Sequence, residues 1–526
     1  MILRRSLLAA TAAVASVAAL PRATAAANPN TTEAFRTRMN KLHLAPASEQ
    51  ITALRTGRIS SRQLLDQLLA HHAATNPGLN AVVTVDADDA RTAADKADRH
   101  LATTGRALGG LHGLPMTVKD ALETANLRTT CGSPELTSHI PDTDADVVAL
   151  LRAAGAIIYG KSNVPTMCQD IQTSNPIFGK TKNPFGDAHT AGGSSGGPSV
   201  SVAAGLSSLE IGSDLAGSLR LPAAYNGVYA LRTSRGASPI VPTRGHIPRP
   251  PGWRSSSDML ALGPIARNAA DLDLLLDVIA APAPTDGAAW SINLPAPSRT
   301  SLRQYRVGLW ADDDFCRVDA ATRALLDQVS TVVRNSGASV DDAARPVDFG
   351  ASNHLFERLM YATSAATASD AAFAGEVAAA ENVADDSPSA HYLKSRTMRH
   401  REWARADEDR RKLGAQWANY FTTHDILITP ATPTAAVPDQ TTVPANDRHI
   451  TVDGERRGFY EQTSWLNLSS PVGLPTVVMP TGQTSDGRPL AIQIIGPYLS
   501  DRTVIHVAKL LAKVLPSAPK APALTA

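Results

Sequence analysis

The chain has 526 residues, 50 Lys+Arg against 49 Asp+Glu, 43% hydrophobic residues and three cysteines. That mixture is too apolar for a disordered chain, and a net charge of +1 excludes a generally basic nucleic-acid binder. Three cysteines, none in a C-x-x-C pattern, exclude a disulfide scaffold.

In chain order, residues 1–26 come first. Arg4 and Arg5 form a basic n-region, Leu7 to Leu20 an apolar run, and Ala23-Thr24-Ala25 a small-x-small cleavage pattern. The run is short for a membrane span, which needs about 20 residues. Residues 1–26 therefore read as a signal peptide, and the protein as exported, periplasmic or secreted. An N-terminal anchor helix is the alternative. The arginine pair points to twin-arginine export of a folded chain, with the Sec route left open. On the first route Cys131, Cys168 and Cys316 stay thiols; on the second, one disulfide becomes possible. Cleavage removes Arg4, Arg5 and Arg22 and no acid, which turns +1 into −2. No later apolar run reaches transmembrane length without a charge or Pro, so no membrane contact is expected after cleavage.

Residues 31–105 read as helices, from the spacing of Leu64, Leu65, Leu68 and Leu69 and of Ala90, Ala93, Ala94 and Ala97. Gly105 to Gly113 is a glycine-rich turn. A short strand, Pro115 to Val118, ends at Lys119-Asp120. Val147 to Ala154 reads as a helix and Ala156 to Tyr159 as a buried strand. Residues 183–197 read as a polar loop, and Leu209 to Gly212 as a strand stopped by Ser213-Asp214. Tyr305–Trp310, Ile426–Thr429 and Leu490–Ile495 read as strands, and Ala320–Val333 and Val504–Val514 as helices. Residues 280–300 read as a surface connection and 365–385 as a helical excursion. Pro516 to Ala526 is expected to fray. Alternating strands and helices argue for an α/β sheet covered on both faces.

Three segments carry the chemistry: Gly113-Leu114-Pro115-Met116-Thr117-Val118-Lys119-Asp120, Gly192-Gly193-Ser194-Ser195-Gly196-Gly197, and Gly212-Ser213-Asp214-Leu215-Ala216-Gly217-Ser218-Leu219-Arg220-Leu221-Pro222. Alone, a lysine at a strand end reads as a snorkelling surface residue. The GGSSGG run satisfies G-x-S-x-G twice, but a nucleophile elbow needs a strand before it, and residues 186–191 are loop-like. The third segment is a strand, a turn of small residues and a helix from Ser218 to Ala224. Backbone N–H groups in such a turn can face an anion, and Ser218 sits beside them.

Together the segments resemble the amidase signature family, including their spacing: 75 residues from Lys119 to Ser194 and 24 from Ser194 to Ser218. Further blocks extend the resemblance over nearly the whole chain: Leu79-Asn80-Ala81, Ser162-Asn163-Val164-Pro165, Asn175-Pro176-Ile177-Phe178-Gly179, Asn183-Pro184, Gly263-Pro264-Ile265-Ala266-Arg267, Thr429-Pro430-Ala431-Thr432-Pro433 and Asn467-Leu468. It implies one α/β amidase domain over 31–515, with a large mixed twisted sheet covered by helices on both faces and a helical excursion at about 350–420.

The resemblance also implies a Ser-cisSer-Lys triad: Ser218 the nucleophile, Ser194 the bridging serine after a cis Gly193–Ser194 bond, and Lys119 the final base. A lysine is a base only when neutral, so Lys119 is expected buried. Leu215, Ala216, Gly217 and Ser218 N–H groups would form the oxyanion hole. Asp214 and Arg220 read as holding the turn's shape, Ser195 as a possible helper of Ser194, and Cys168 as a substrate-pocket residue or a structural thiol. No metal or cofactor is implied, and none of the 14 His falls in an H-E-x-x-H pattern. Three departures stand out: Ala216 where the family has Gly, Ala191 where Pro is common, and Ala230-Leu231-Arg232-Thr233-Ser234 where G-L-K-P-T is usual. A positive φ at Ala216 would be strained.

The activity implied is hydrolysis of a carboxamide or peptide amide by an exported monomer or homodimer, with a small-molecule or peptide amide as its partner and no nucleic acid. The alternatives are a non-catalytic ligand-binding relative, an esterase or acyltransferase using the same acyl-enzyme, and a glutamyl-tRNA amidotransferase A subunit.

Overall fold

Caps and apolar spacing set the first helices. Ser60 Oγ accepts from the Gln63 N–H and the Gln63 side chain accepts from the Ser60 N–H, which starts helix Ser61–Leu79. Leu64, Leu65 and Leu68 are buried on one face of it, each contributing roughly 1.5–3 kcal/mol. Asn80, at φ 53°, ends the helix. The computed structural model describes residues 41–524 apart from 237, 249–254 and 384–386. The segment read as a signal peptide therefore lies outside the described residues.

Strand β1 (Val82–Val85) follows Asn80. It corrects the all-helical reading of 31–105: four β-branched residues sit between the helix stop at Asn80 and the Asp86 cap of helix Ala87–Thr104. β2 (Pro115–Lys119) pairs parallel with β3 (Ile157–Ser162), and β1 pairs antiparallel with β3, giving a sheet ordered β1-β3-β2. β4 (Ser174–Asn175) and β5 (Gly179–Lys180) form a small antiparallel pair.

The main sheet is built from β6 (Leu209–Asp214), β7 (Tyr229–Arg232), β8 (Ala261–Ala266), β9 (Arg306–Leu309), β10 (Ser339–Asp341) and β11 (Ile426–Pro430). After a peripheral hairpin, β12 (His449–Val452) with β13 (Glu455–Gly458), it adds β14 (Thr476–Gln483) and β15 (Pro489–Ile495). Its eight strands run β10-β9-β11-β15-β14-β7-β8-β6. The β10-β9-β11 edge is parallel and the remaining pairs are antiparallel, so the sheet is mixed. β6, β8, β11 and β15 are buried at every position, as strands covered by helices on both faces must be. β2 lies against β6. That contact brings the end of the small sheet to the edge of the large one.

Between Phe349 and Thr423 the chain makes four helices: Phe349–Ala365, Asp370–Asn382, Pro388–Arg396 and His400–Thr423. Phe356, Leu359 and Ala406 from this group form an apolar cluster with Met259, and Ala216 packs against it. The described part of the C-terminal tail, residues 516–524, is docked where fraying was expected, and residues 525–526 lie outside the described residues. The Pro516 carbonyl accepts from Thr481 Oγ1 at 2.6 Å, and Ala521 is 2% exposed within the cluster of Val228 and Ala224. Small apolar side chains, which look featureless in sequence, fill a groove on the core.

Candidate active site

Lys119 ends β2, a strand buried at all five positions, so its side chain has no route to bulk water. It is 0% exposed. Its Nζ lies 2.7 Å from Ser194 Oγ, 2.9 Å from Ser195 Oγ and 2.8 Å from Ser213 Oγ. Burial holds the Lys119 amine below its ordinary range, opposed by Cys168, Cys131 and Asp214 nearby. No carboxylate touches Nζ among the described hydrogen bonds; three hydroxyls surround it, and the Cys168 thiol also interacts with it.

Ser194 and Ser195 come from the Gly/Ser loop. The Gly193–Ser194 peptide is cis. Thr173 Oγ1 donates to the Gly192 carbonyl at 2.8 Å and accepts from Gly196 N–H at 3.2 Å, which pins the loop on both sides. The loop is shorter than read from sequence, because a helix already begins at Gly196 and runs to Ala203. Its glycines admit a close approach: a Cβ on Gly197 would lie 2.2 Å from Asn163 N.

Ser218 lies in the turn between β6 and helix Arg220–Tyr225. The Ser195 N–H donates to the Ser218 carbonyl at 2.9 Å, so the two loops sit side by side. Lys119 and Ser194 are buried while Ser218, Leu215 and Ala216 are partly exposed, so the turn faces outward from the lysine. The positive φ of this turn falls on Gly217, at 89°, and not on Ala216, so the alanine costs no backbone strain.

The oxyanion-hole expectation needs one correction. The Gly217 N–H donates to Asp214 Oδ1 at 3.0 Å, so that donor is already engaged inside the turn. The N–H groups of Leu215, Ala216 and Ser218 take no acceptor among the described residues.

Asp214 organises the turn. It accepts from Arg220 Nε at 2.9 Å and from Arg220 Nη2 at 3.0 Å, and Arg232 Nε lies 3.4 Å away. Burial pushes the Asp214 carboxyl up, but Arg220, Arg232 and the Gly217 N–H outweigh it and hold it well below the usual carboxylate range. Arg220 reaches on to the Leu466 carbonyl at 2.7 Å and to Ser469 Oγ at 3.0 Å, which ties the turn to helix Ser464–Asn467.

Cys168 is half-buried, with its Sγ 3.8 Å from Cys131 Sγ, and all three cysteines are free. Two participants and a second buried lysine escape the sequence reading. Ser213 directly precedes Asp214, and only the fold shows its hydroxyl on Lys119. His246 Nε2 lies 2.8 Å from Ser213 Oγ, brought there by a bridge between Leu122 and His246; nothing in the sequence spacing signals it. Lys161, on β3, is a second buried lysine, lowered by burial to about 8. Its Nζ faces the Leu122 carbonyl and the Thr124 and Thr129 hydroxyls, and no serine. Of the two buried lysines, only Lys119 borders the serines.

The profile of the Amidase family matches residues 63–505. The chain belongs to the amidase signature family. It is 31% identical to the A subunit of a glutamyl-tRNA(Gln) amidotransferase from Synechococcus sp. (strain CC9605), over 89% of this chain and 96% of the relative. It is 30% identical to an indoleacetamide hydrolase of Bradyrhizobium diazoefficiens, over 86% of this chain and 84% of that protein. A solved amidase structure superposes with a TM-score of 0.72 at 26% identity, covering 90% of this chain and all of the other. An amidase-signature chain is an amide-hydrolysing enzyme, and residues 115–232, which hold the lysine, both serine loops and Asp214, all lie inside the matched region.

Proposed function

We propose that this enzyme is an exported amidase that converts a carboxamide or peptide amide to a carboxylic acid and ammonia or an amine. The observation that carries the reading is Lys119, fully buried, with its Nζ within 2.9 Å of three serine hydroxyls beside the Ser218 turn.

The hydrogen-bond inventory supports a division of roles. A neutral amine has two N–H donors and one lone pair, which matches three hydroxyls if one of them donates. Ser195 Oγ has the Ser213 carbonyl as its own acceptor, at 3.4 Å. Ser213 Oγ has His246 Nε2, with His246 taken as the Nδ1–H tautomer. Both are then free to accept from Nζ, and Ser194 is left to donate its proton to the lone pair. Ser218 then attacks the amide carbonyl while Ser194 takes its proton and passes one to Lys119. The return of that proton through Ser194 releases the amine. The Leu215, Ala216 and Ser218 N–H groups receive the oxyanion, and water hydrolyses the acyl-enzyme.

A second reading is the A subunit of a glutamyl-tRNA(Gln) amidotransferase, favoured by similarity that spans 96% of the Synechococcus relative. Against it stand the signal-like pattern of residues 1–26 and the charge of −2 that remains without them. The test uses the purified chain with a panel of amides, indoleacetamide among them, and a fluorophosphonate probe. Wild type is expected to release ammonia unaided and to be labelled, and Ser218→Ala to do neither. Ammonia release seen only with partner subunits and charged tRNA would establish the second reading. Labelling of Ser218→Ala equal to wild type would overturn the nucleophile.

A further inference from the structure

Helices Phe349–Ala365 and Pro388–Arg396 pack together and place three metal-ligating side chains side by side, none of them used in the hydrolysis. His354 and Glu357 stand three residues apart and so share a face of the first helix. His391 comes from the second. Their ligand atoms all lie within 4.8 Å of one another. His354 and His391 stack with ring centroids 4.2 Å apart, and His391 Nε2 lies 3.2 Å from Glu357 Oε2. Asn353 Nδ2 donates to Glu357 Oε1 at 3.0 Å and fixes the carboxylate.

Among the ion pairs of the described residues Glu357 has His391 and no lysine or arginine. Arg358 faces the two imidazoles and works against an ion, so the site's affinity rests on the three donors. His354 is exposed, which leaves one side open to water or a fourth ligand.

We propose that His354, Glu357 and His391 bind a divalent first-row transition ion of the Zn²⁺ type. Two imidazoles and a carboxylate suit zinc, whereas Mg²⁺ and Ca²⁺ take oxygen sets. A tetrahedral ion with donors about 2.0–2.1 Å away holds its ligands roughly 3.3 Å apart. The ion ties two helices of the excursion together. The first of these ends close to Thr367, whose Oγ1 accepts from Gln169 Nε2 at 3.0 Å in the loop after Pro165. The ion takes no part in amide hydrolysis.

The test uses the full chain without a histidine tag, stripped with chelator and titrated with zinc chloride. Calorimetry is expected to show one equivalent bound, and cobalt-loaded protein to show visible d–d absorption of a tetrahedral site. His354→Ala, His391→Ala and Glu357→Gln are each expected to lose that equivalent, and Asn353→Ala to bind about tenfold more weakly. Excess zinc is expected to raise the melting temperature of wild type and not of the ligand variants. Zinc-free melting curves identify variants that fold, and His354→Ala, at an exposed position, keeps the test decisive if a buried variant does not. Absence of one-to-one binding, or uptake unchanged in a folded His354→Ala or His391→Ala protein, overturns the site.

Discussion

A desolvated ammonium gives up its proton at lower pH than an exposed one, and Lys119 is 0% exposed. The base form is the reactive one, so kcat/KM is expected to climb as pH rises through the lowered Lys119 value and then to level off. Measured as a pH–rate profile, the rising limb should sit below 10.5, the ordinary lysine value. Lys119→Ala is expected to lose the limb together with about 10²–10⁴ of the rate; near-wild-type rates in that variant would exclude Lys119 as the base. Asp214 makes a different contribution. It is buried against two arginines, so Asp214→Asn leaves Arg220 and Arg232 uncompensated and is expected to cost about 3–5 kcal/mol in urea unfolding. The pair's contribution is present at neutral pH and is lost only in strong acid, as pH falls through the depressed Asp214 value.

At the scale of elements, the serine loop is held by how closely helix Gly196–Ala203 approaches Asn163. A methyl group at Gly197 would meet the Asn163 backbone at 2.2 and 2.3 Å, and backbone cannot swing aside. Gly197→Ala is therefore expected to destabilise the protein by about 1–3 kcal/mol and to lower kcat by displacing Ser194 and Ser195, with both effects read on one preparation. A lowered kcat at unchanged stability would show that the glycine serves the chemistry directly. Short elements were the hardest to read. β1 hides in a helical region because its signal is four β-branched residues long. The start of helix Gly196–Ala203 hides in a polar loop because two glycines head it. Strands β7, β8 and β14 are not legible as such, since buried strands lack the alternation that marks a half-exposed one.

At the scale of the whole molecule, the described part of the tail packs onto the core. Removing residues 516–526 takes Ala521 out of the cluster of Ala224 and Val228 and opens that groove to water. The truncated chain is expected to unfold about 1–3 kcal/mol more easily, seen as a lower urea midpoint, with kcat unchanged because none of the truncated residues lies in the candidate site. An unchanged midpoint would show the docked tail to be energetically idle.

By itself the sequence determined the family, the mixed α/β class, and the positions of Lys119, Ser194, Ser218, Asp214 and Arg220. These lie in short motifs whose residue types and spacing are fixed along the covalent chain. Only the tertiary structure decided what surrounds them. It set Ser213 and His246 in line with Lys119, turned the Gly217 N–H to Asp214, placed the turn's positive φ on Gly217, and paired Asp214 with Arg232 as well as Arg220. The Ser213 and His246 contacts depend on loops meeting across the β2–β6 contact, and the Asp214–Arg232 pair on the order of strands in the main sheet. Registry between distant strands is set by the packing of the whole core, which no local pattern records.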